Sequence, residues 1–186
     1  KTFRCSTVVV GFALFITAAK GLTAAHPVII QGNGQLAIVD AEGQLEWQMK
    51  WGGIHDVHVL PTGNFMVQQG ANRVVEIDPT TKQVVWSYDA STSNGNAGRP
   101  VEVHSFQPLP DGSVMIAESG PARIIEVGRD GQLLRQIKLK VDKPHAHHDT
   151  RLVRKLKSGN YLVAHENDGV VREYDGDGQV VWEYEV

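Results

Sequence analysis

One hairpin, written four times, limits what this chain can fold into. Leu36-Ala-Ile-Val-Asp-Ala-Glu-Gly-Gln-Leu-Glu-Trp47, Ile124-Ile-Glu-Val-Gly-Arg-Asp-Gly-Gln-Leu-Leu-Arg135 and Val171-Arg-Glu-Tyr-Asp-Gly-Asp-Gly-Gln-Val-Val-Trp182 are versions of one segment. Val74-Val-Glu-Ile-Asp-Pro-Thr-Thr-Lys-Gln-Val-Val-Trp86 is a fourth, with one extra turn residue. The Gly-Gln pair recurs at Gly43, Gly131 and Gly178, so three steps give a period of 45 residues. Each copy sets two short β-branched runs around an Asp/Gly turn, the pattern of an antiparallel hairpin. A second hairpin precedes each of the last three copies, turning at Leu60-Pro-Thr-Gly-Asn64, Leu109-Pro-Asp-Gly-Ser113 and Leu156-Lys-Ser-Gly-Asn160.

Four strands per 45 residues, repeated, predict an all-β fold: a β-propeller of four-stranded antiparallel blades. A two-sheet sandwich does not account for turn chemistry repeated at constant phase. The expected blades lie near 27–50, 55–89, 104–140 and 148–186, the first lacking its innermost strand. The sequence ends on Val180-Val-Trp-Glu-Tyr-Glu-Val186, an outermost strand, so no strand is left to complete the first blade. The expectation is therefore a partial propeller, completed by further C-terminal blades or by self-association.

Residues 1–25 read differently from the repeats. Lys1 and Arg4 precede a 12-residue apolar run, Val8–Ala19, and the small residues of Leu22-Thr-Ala-Ala25 follow it. That is the layout of a secretory signal peptide, and the run is short for a membrane span. Cleavage after Ala25 would leave the repeats as 26–186, placed in the periplasm or secreted, with no stable membrane span. It removes three cations and no acid, taking the net charge from −3 to −6. An acidic balance of that kind argues against a nucleic-acid partner. Cys5 is the single cysteine, so neither an internal disulfide nor a thiolate metal site can form.

The stretch Val75-Glu-Ile-Asp-Pro-Thr-Thr-Lys-Gln-Val-Val-Trp86 resembles the repeat of quinoprotein-type (PQQ-like) propellers. The resemblance implies an Asp–Gly turn and a Trp on the outermost strand that dock adjacent blades. Trp47, Trp86 and Trp182 match that Trp, and Arg135 departs from it. His55-Asp-Val-His-Val-Leu-Pro-Thr-Gly-Asn64 and His148-Asp-Thr-Arg151 look like the His-Asp inner strands of arylsulfotransferase-like propellers. That likeness implies sulfuryl transfer through a channel histidine.

His55, His104 and His148 hold one place in three repeats, at spacings of 49 and 44, each expected to open an inner strand. Equivalent inner-strand positions converge on one mouth of a propeller's channel. These three are the candidate catalytic residues. Asp56, Arg99, Glu102, His147, Asp149 and Arg151 are the candidate ligand-binding residues, with His145 nearby. Such a ring can hold a divalent metal, serve as nucleophile or general acid–base beside Arg, or bond backbone between blades. No residue is singled out as a metal ligand, and no cofactor follows from the sequence. The leading reading is a scaffold that binds a small molecule or protein at the channel mouth and rim loops. The enzyme reading is an arylsulfotransferase-like transferase. A quinone-dependent dehydrogenase is a third class, and the calcium ligands it needs are not found.

Asp175-Gly-Asp-Gly178 falls at the ordinary turn of its repeat and is read as a turn, not a calcium loop. Gly32-Asn-Gly34 is likewise a hairpin turn. Asn94-Gly-Asn-Ala-Gly98 lies in the longest polar insertion and is read as a linker or rim loop. Lys138, Lys140, Lys143, Arg151, Arg154, Lys155 and Lys157 form a local basic excess, read as a solvated face.

Overall fold

The computed structural model describes residues 26–186, and the expected signal peptide at 1–25 lies outside them. The described chain is all-β, with fifteen strands in four antiparallel sheets. The first sheet has three strands, β1 (Val28–Gly32), β2 (Gln35–Val39) and β3 (Leu45–Lys50). The second holds β4 (Val57–Val59), β5 (Phe65–Gln69), β6 (Arg73–Asp78) and β7 (Gln83–Asp89). The third holds β8 (Glu102–Pro108), β9 (Val114–Ser119), β10 (Arg123–Val127) and β11 (Leu133–Lys138). The fourth holds β12 (Leu152–Lys155), β13 (Tyr161–His165), β14 (Val170–Tyr174) and β15 (Val180–Glu185). Within each sheet the strands follow chain order, as in propeller blades.

The turn residues fix this register. Gly63, Gly112 and Gly159 end the first turn of their blades at φ of 86°, 86° and 94°, a region that penalises any Cβ. In the second turn an Asp side chain caps the loop: Asp40 Oδ1 accepts the N–H of Glu42 and Gln44, and Asp175 Oδ1 those of Asp177 and Gln179. Asp175 is thus occupied by its own turn. The same bulge interrupts the last strand pair of every blade, at Ile38/Val39, Glu76/Ile77, Glu126/Val127 and Glu173/Tyr174.

The core lies between the sheets. Leu36, Trp51, Phe65, Val67, Val75 and Ile77 fill the first interface. Met66, Val74, Tyr88, Phe106, Ile116 and Ile125 belong to the second, and Met115, Ile124, Ile137, Tyr161 and Tyr174 to the third. Burial follows position in the row. All six residues of β9 are buried, because both faces of the third sheet are covered. β13 and β14 alternate buried with half-buried residues, and β1 alternates exposed with half-buried ones.

Neighbouring blades are also tied at their outer strands. Trp47 Nε1 donates to Pro79 O at 2.8 Å, and Trp86 Nε1 donates to Arg129 O at 2.8 Å. Arg135, which replaces the indole, reaches Gly176 O at 3.5 Å with its guanidinium. The docking partner is each time a carbonyl in or beside the next blade's second turn, so Arg keeps the contact that the Trp pattern predicts. Among the described residues, no helix is long and apolar enough to cross a membrane.

Candidate functional site

The histidines do gather at the inner ends of the blades, but not by each opening a strand. His55 stands two residues before β4. His104 lies inside β8, at the bulge between Val103 and Ser105. His148 sits four residues before β12, in a turn where the N–H groups of His148 and Asp149 donate to His145 O. β8 begins at Glu102, two residues before the expected opening at His104.

Five imidazoles form a continuous row. His55 packs edge-on against His104 with ring centroids 4.7 Å apart, and His104 against His147 at 4.9 Å. His147 meets His148 at 4.7 Å, and His148 meets His145 at 4.6 Å. Three blades therefore contribute to one surface. Glu102 enters the middle of the row: its Oε2 lies 3.1 Å from His104 Nε2 and 2.6 Å from His147 Nδ1. Burial pushes the Glu102 carboxyl up, but the adjacent His147 and His104 rings outweigh it and leave the group more acidic than usual. His55 is pushed down from the ordinary imidazole range, first by burial and then by His104, Arg151 and His147.

Four buried side-chain polar atoms lack a hydrogen-bond partner among the described residues: Arg73 Nε, His148 Nδ1, Thr150 Oγ1 and Arg151 Nη1. Three of the four fall within residues 148–151, beside the row. Glu166 Oε1 is 3.1 Å from His148 Nδ1 but out of line for a hydrogen bond. Arg151 Nε pairs with Glu166 Oε2, which leaves Nη1 spare. Buried polar groups are nearly always satisfied, so a local cluster of exceptions marks a place built for something else.

The remaining candidates are spent on structure. Asp56 Oδ2 accepts from Ser105 Oγ at 3.1 Å, Phe106 N at 3.2 Å and Arg154 Nη1 at 2.8 Å, while Oδ1 accepts from Arg154 Nη2 at 2.9 Å. Burial raises this carboxyl's pKa, yet His58 and Arg154 bring it down to about 2. Asp149 accepts the backbone N–H of His145 and Gly120, at 2.5 and 3.1 Å, and so holds the turn under the row. Arg99 is exposed in the loop before β8, where its backbone N–H bonds Asn96 O. The basic stretch is less solvated than its composition implies, since Arg154 pairs with Asp56, Lys155 with Glu126 and Arg151 with Glu166.

The molecule is similar to several solved propellers. A protein of unknown function from Bacteroides caccae aligns with a TM-score of 0.70 at 22% identity, over 86% of this chain and 57% of that one. A streptogramin B lyase aligns with a TM-score of 0.60 at 11% identity, over 87% and 51%. The WD40 β-propeller domain of Doa1 aligns with a TM-score of 0.58 at 16% identity, over 81% and 47%. At these identities the likeness establishes the fold alone. The chain spans about half the length of these structures. No curated protein matches it. A family model described as outer membrane protein assembly factor BamB matches residues 32–186, and the chain belongs to that family of PQQ-like repeat propellers.

Proposed function

We propose that this propeller is an exported binding scaffold whose site is the axial mouth, and that its ligand is a small molecule bearing oxyanion acceptors. One observation carries the reading: Arg151 Nη1 and Thr150 Oγ1 are buried and unpartnered beside the imidazole row. An anionic oxygen beside Arg151 would satisfy Nη1 and gain a charge-assisted bond from the guanidinium. A location outside the cytoplasm is supported by the layout of residues 1–25 and by the outer-membrane role in the family's description.

Calorimetry with sodium sulfate and with p-nitrophenyl sulfate, in EDTA, tests the reading. Binding should weaken in Arg151→Ala while the circular dichroism spectrum stays unchanged. Equal affinity in wild type and Arg151→Ala would reject it.

A transferase reading draws support from His55, which is exposed, packed on His104 and pushed toward its neutral form. A neutral ring nitrogen would attack the sulfur of an aryl sulfate. The S–O bond breaks, p-nitrophenolate leaves with the electron pair, and the sulfuryl group then passes to a phenol oxygen as the phenol's proton is lost. Release of p-nitrophenolate that depends on an added phenol, and that His55→Ala abolishes, is the expected result. Absence of release with binding retained leaves the scaffold alone.

A further inference from the structure

We infer that the mouth holds a divalent transition metal, bound by Glu102 Oε2, His104 Nε2 and His147 Nδ1. The inference deepens the binding reading above and rests on it for the role of the site, not for the metal ligands. Those three atoms lie within 4.8 Å of one another.

The argument begins with His104, whose ring is 1% exposed. Its Nδ1 is 3.0 Å from Thr150 O and its Nε2 is 3.1 Å from the Glu102 carboxylate, and both partners only accept, so the single proton of a neutral ring serves one of them. With that proton on Nδ1, Nε2 turns a bare lone pair to the carboxylate. Two lone pairs facing each other repel, and a positive species between them reverses the sign. A second ring proton would serve this one pair of atoms. It would not explain why a third donor, His147 Nδ1, points at the same carboxylate oxygen from another blade. A metal ion serves all three.

The donor chemistry matches. Two imidazole nitrogens and one carboxylate oxygen suit zinc and its neighbours, with a further position open to a ligand. The His104 Nδ1–carbonyl bond is the outer contact that orients a metal-bound imidazole. Donors about 2.0 Å from a tetrahedral ion stand about 3.3 Å apart, close to the 3.1 Å of the Glu102–His104 pair. The 2.6 Å approach of His147 must open, and its side chain, 41% exposed, is free to swing. The Arg151 cation nearby is already paired with Glu166.

Calorimetric titration of the metal-free full chain with Zn2+, and Co2+ absorption in the visible, test the assignment. One ion per chain in the micromolar range or tighter, with a cobalt band, is expected. Glu102→Gln and His147→Ala should each weaken zinc binding roughly 100-fold. His147→Ala alters a partly exposed ring, so folding is not at risk. His26→Ala, at an exposed histidine outside the row, should keep zinc affinity. No zinc binding, or equal losses in His26→Ala and His147→Ala, would overturn the site. Sulfate-ester binding in EDTA reports on the scaffold reading separately, so either can fail alone.

Discussion

Two polar clusters cross the same inner strands, and they are built on opposite principles. Around Asp56, both carboxylate oxygens are answered by Arg154, and Ser105 and the Phe106 N–H complete the set. Around Glu102, two rings from two blades converge on one oxygen, and one of those rings has an acceptor at each nitrogen. The first cluster ties β4, β8 and β12 together and asks for nothing more. The second is equally well placed to tie blades, yet it leaves its electrostatics open. A closed network stabilises, whereas an open one at a channel mouth is where a ligand changes the free energy.

The contrast can be broken most forcefully at Asp56. Asp56→Ala strands the Arg154 charge and the Ser105 and Phe106 donors, and should cost about 3 kcal/mol of unfolding free energy in urea. A cost below about 1 kcal/mol would mean that water replaces the carboxylate and that the cluster is not structural. Acid gives the next largest effect. The Asp56 carboxyl sits at about 2 against an ordinary 3.8, so it stabilises the fold above pH 4. That contribution, about 2 kcal/mol, should vanish as pH falls from 4 to 2, and Asp56→Asn should flatten this acid limb. At the outer edge, Trp86→Phe removes the bond to Arg129 O and should cost about 1 kcal/mol in the same urea assay. Smallest of all, Glu102→Gln should move stability by less than about 1 kcal/mol, because its cluster is not a settled stabilising network. A loss as large as that of Asp56→Ala would erase the distinction between the two clusters.

Sequence and structure agree most closely where interactions are local. The hairpins were legible because strand alternation and Asp/Gly turns act over a few residues, and the blade phase followed from their repetition. His55, His104 and His148 were expected to converge as equivalent positions; they do meet in one row, through His147, but from three different placements relative to their strands. What stayed hidden was the division of labour among them. Asp56 and Arg154 are 98 residues apart, and no local pattern distinguishes Arg154 from the Lys residues around it. The displacement of His104 into the strand depends on a bulge that patterning does not encode. Glu102 and His147 were placed near the histidines, but their shared oxygen depends on a turn that Asp149 holds from below.

The docking of outer strands bears on the mouth in another way. Each blade grips the next at two radii, near the axis through side chains such as Ser105 on Val153 and far from it through Trp or Arg on a turn carbonyl. A panel hung on two separated hinges cannot rock about either one. Blade angle is fixed by that leverage, and with it the spacing of imidazoles supplied by three different blades. Residues that never approach the axis therefore help to set the aperture of the site.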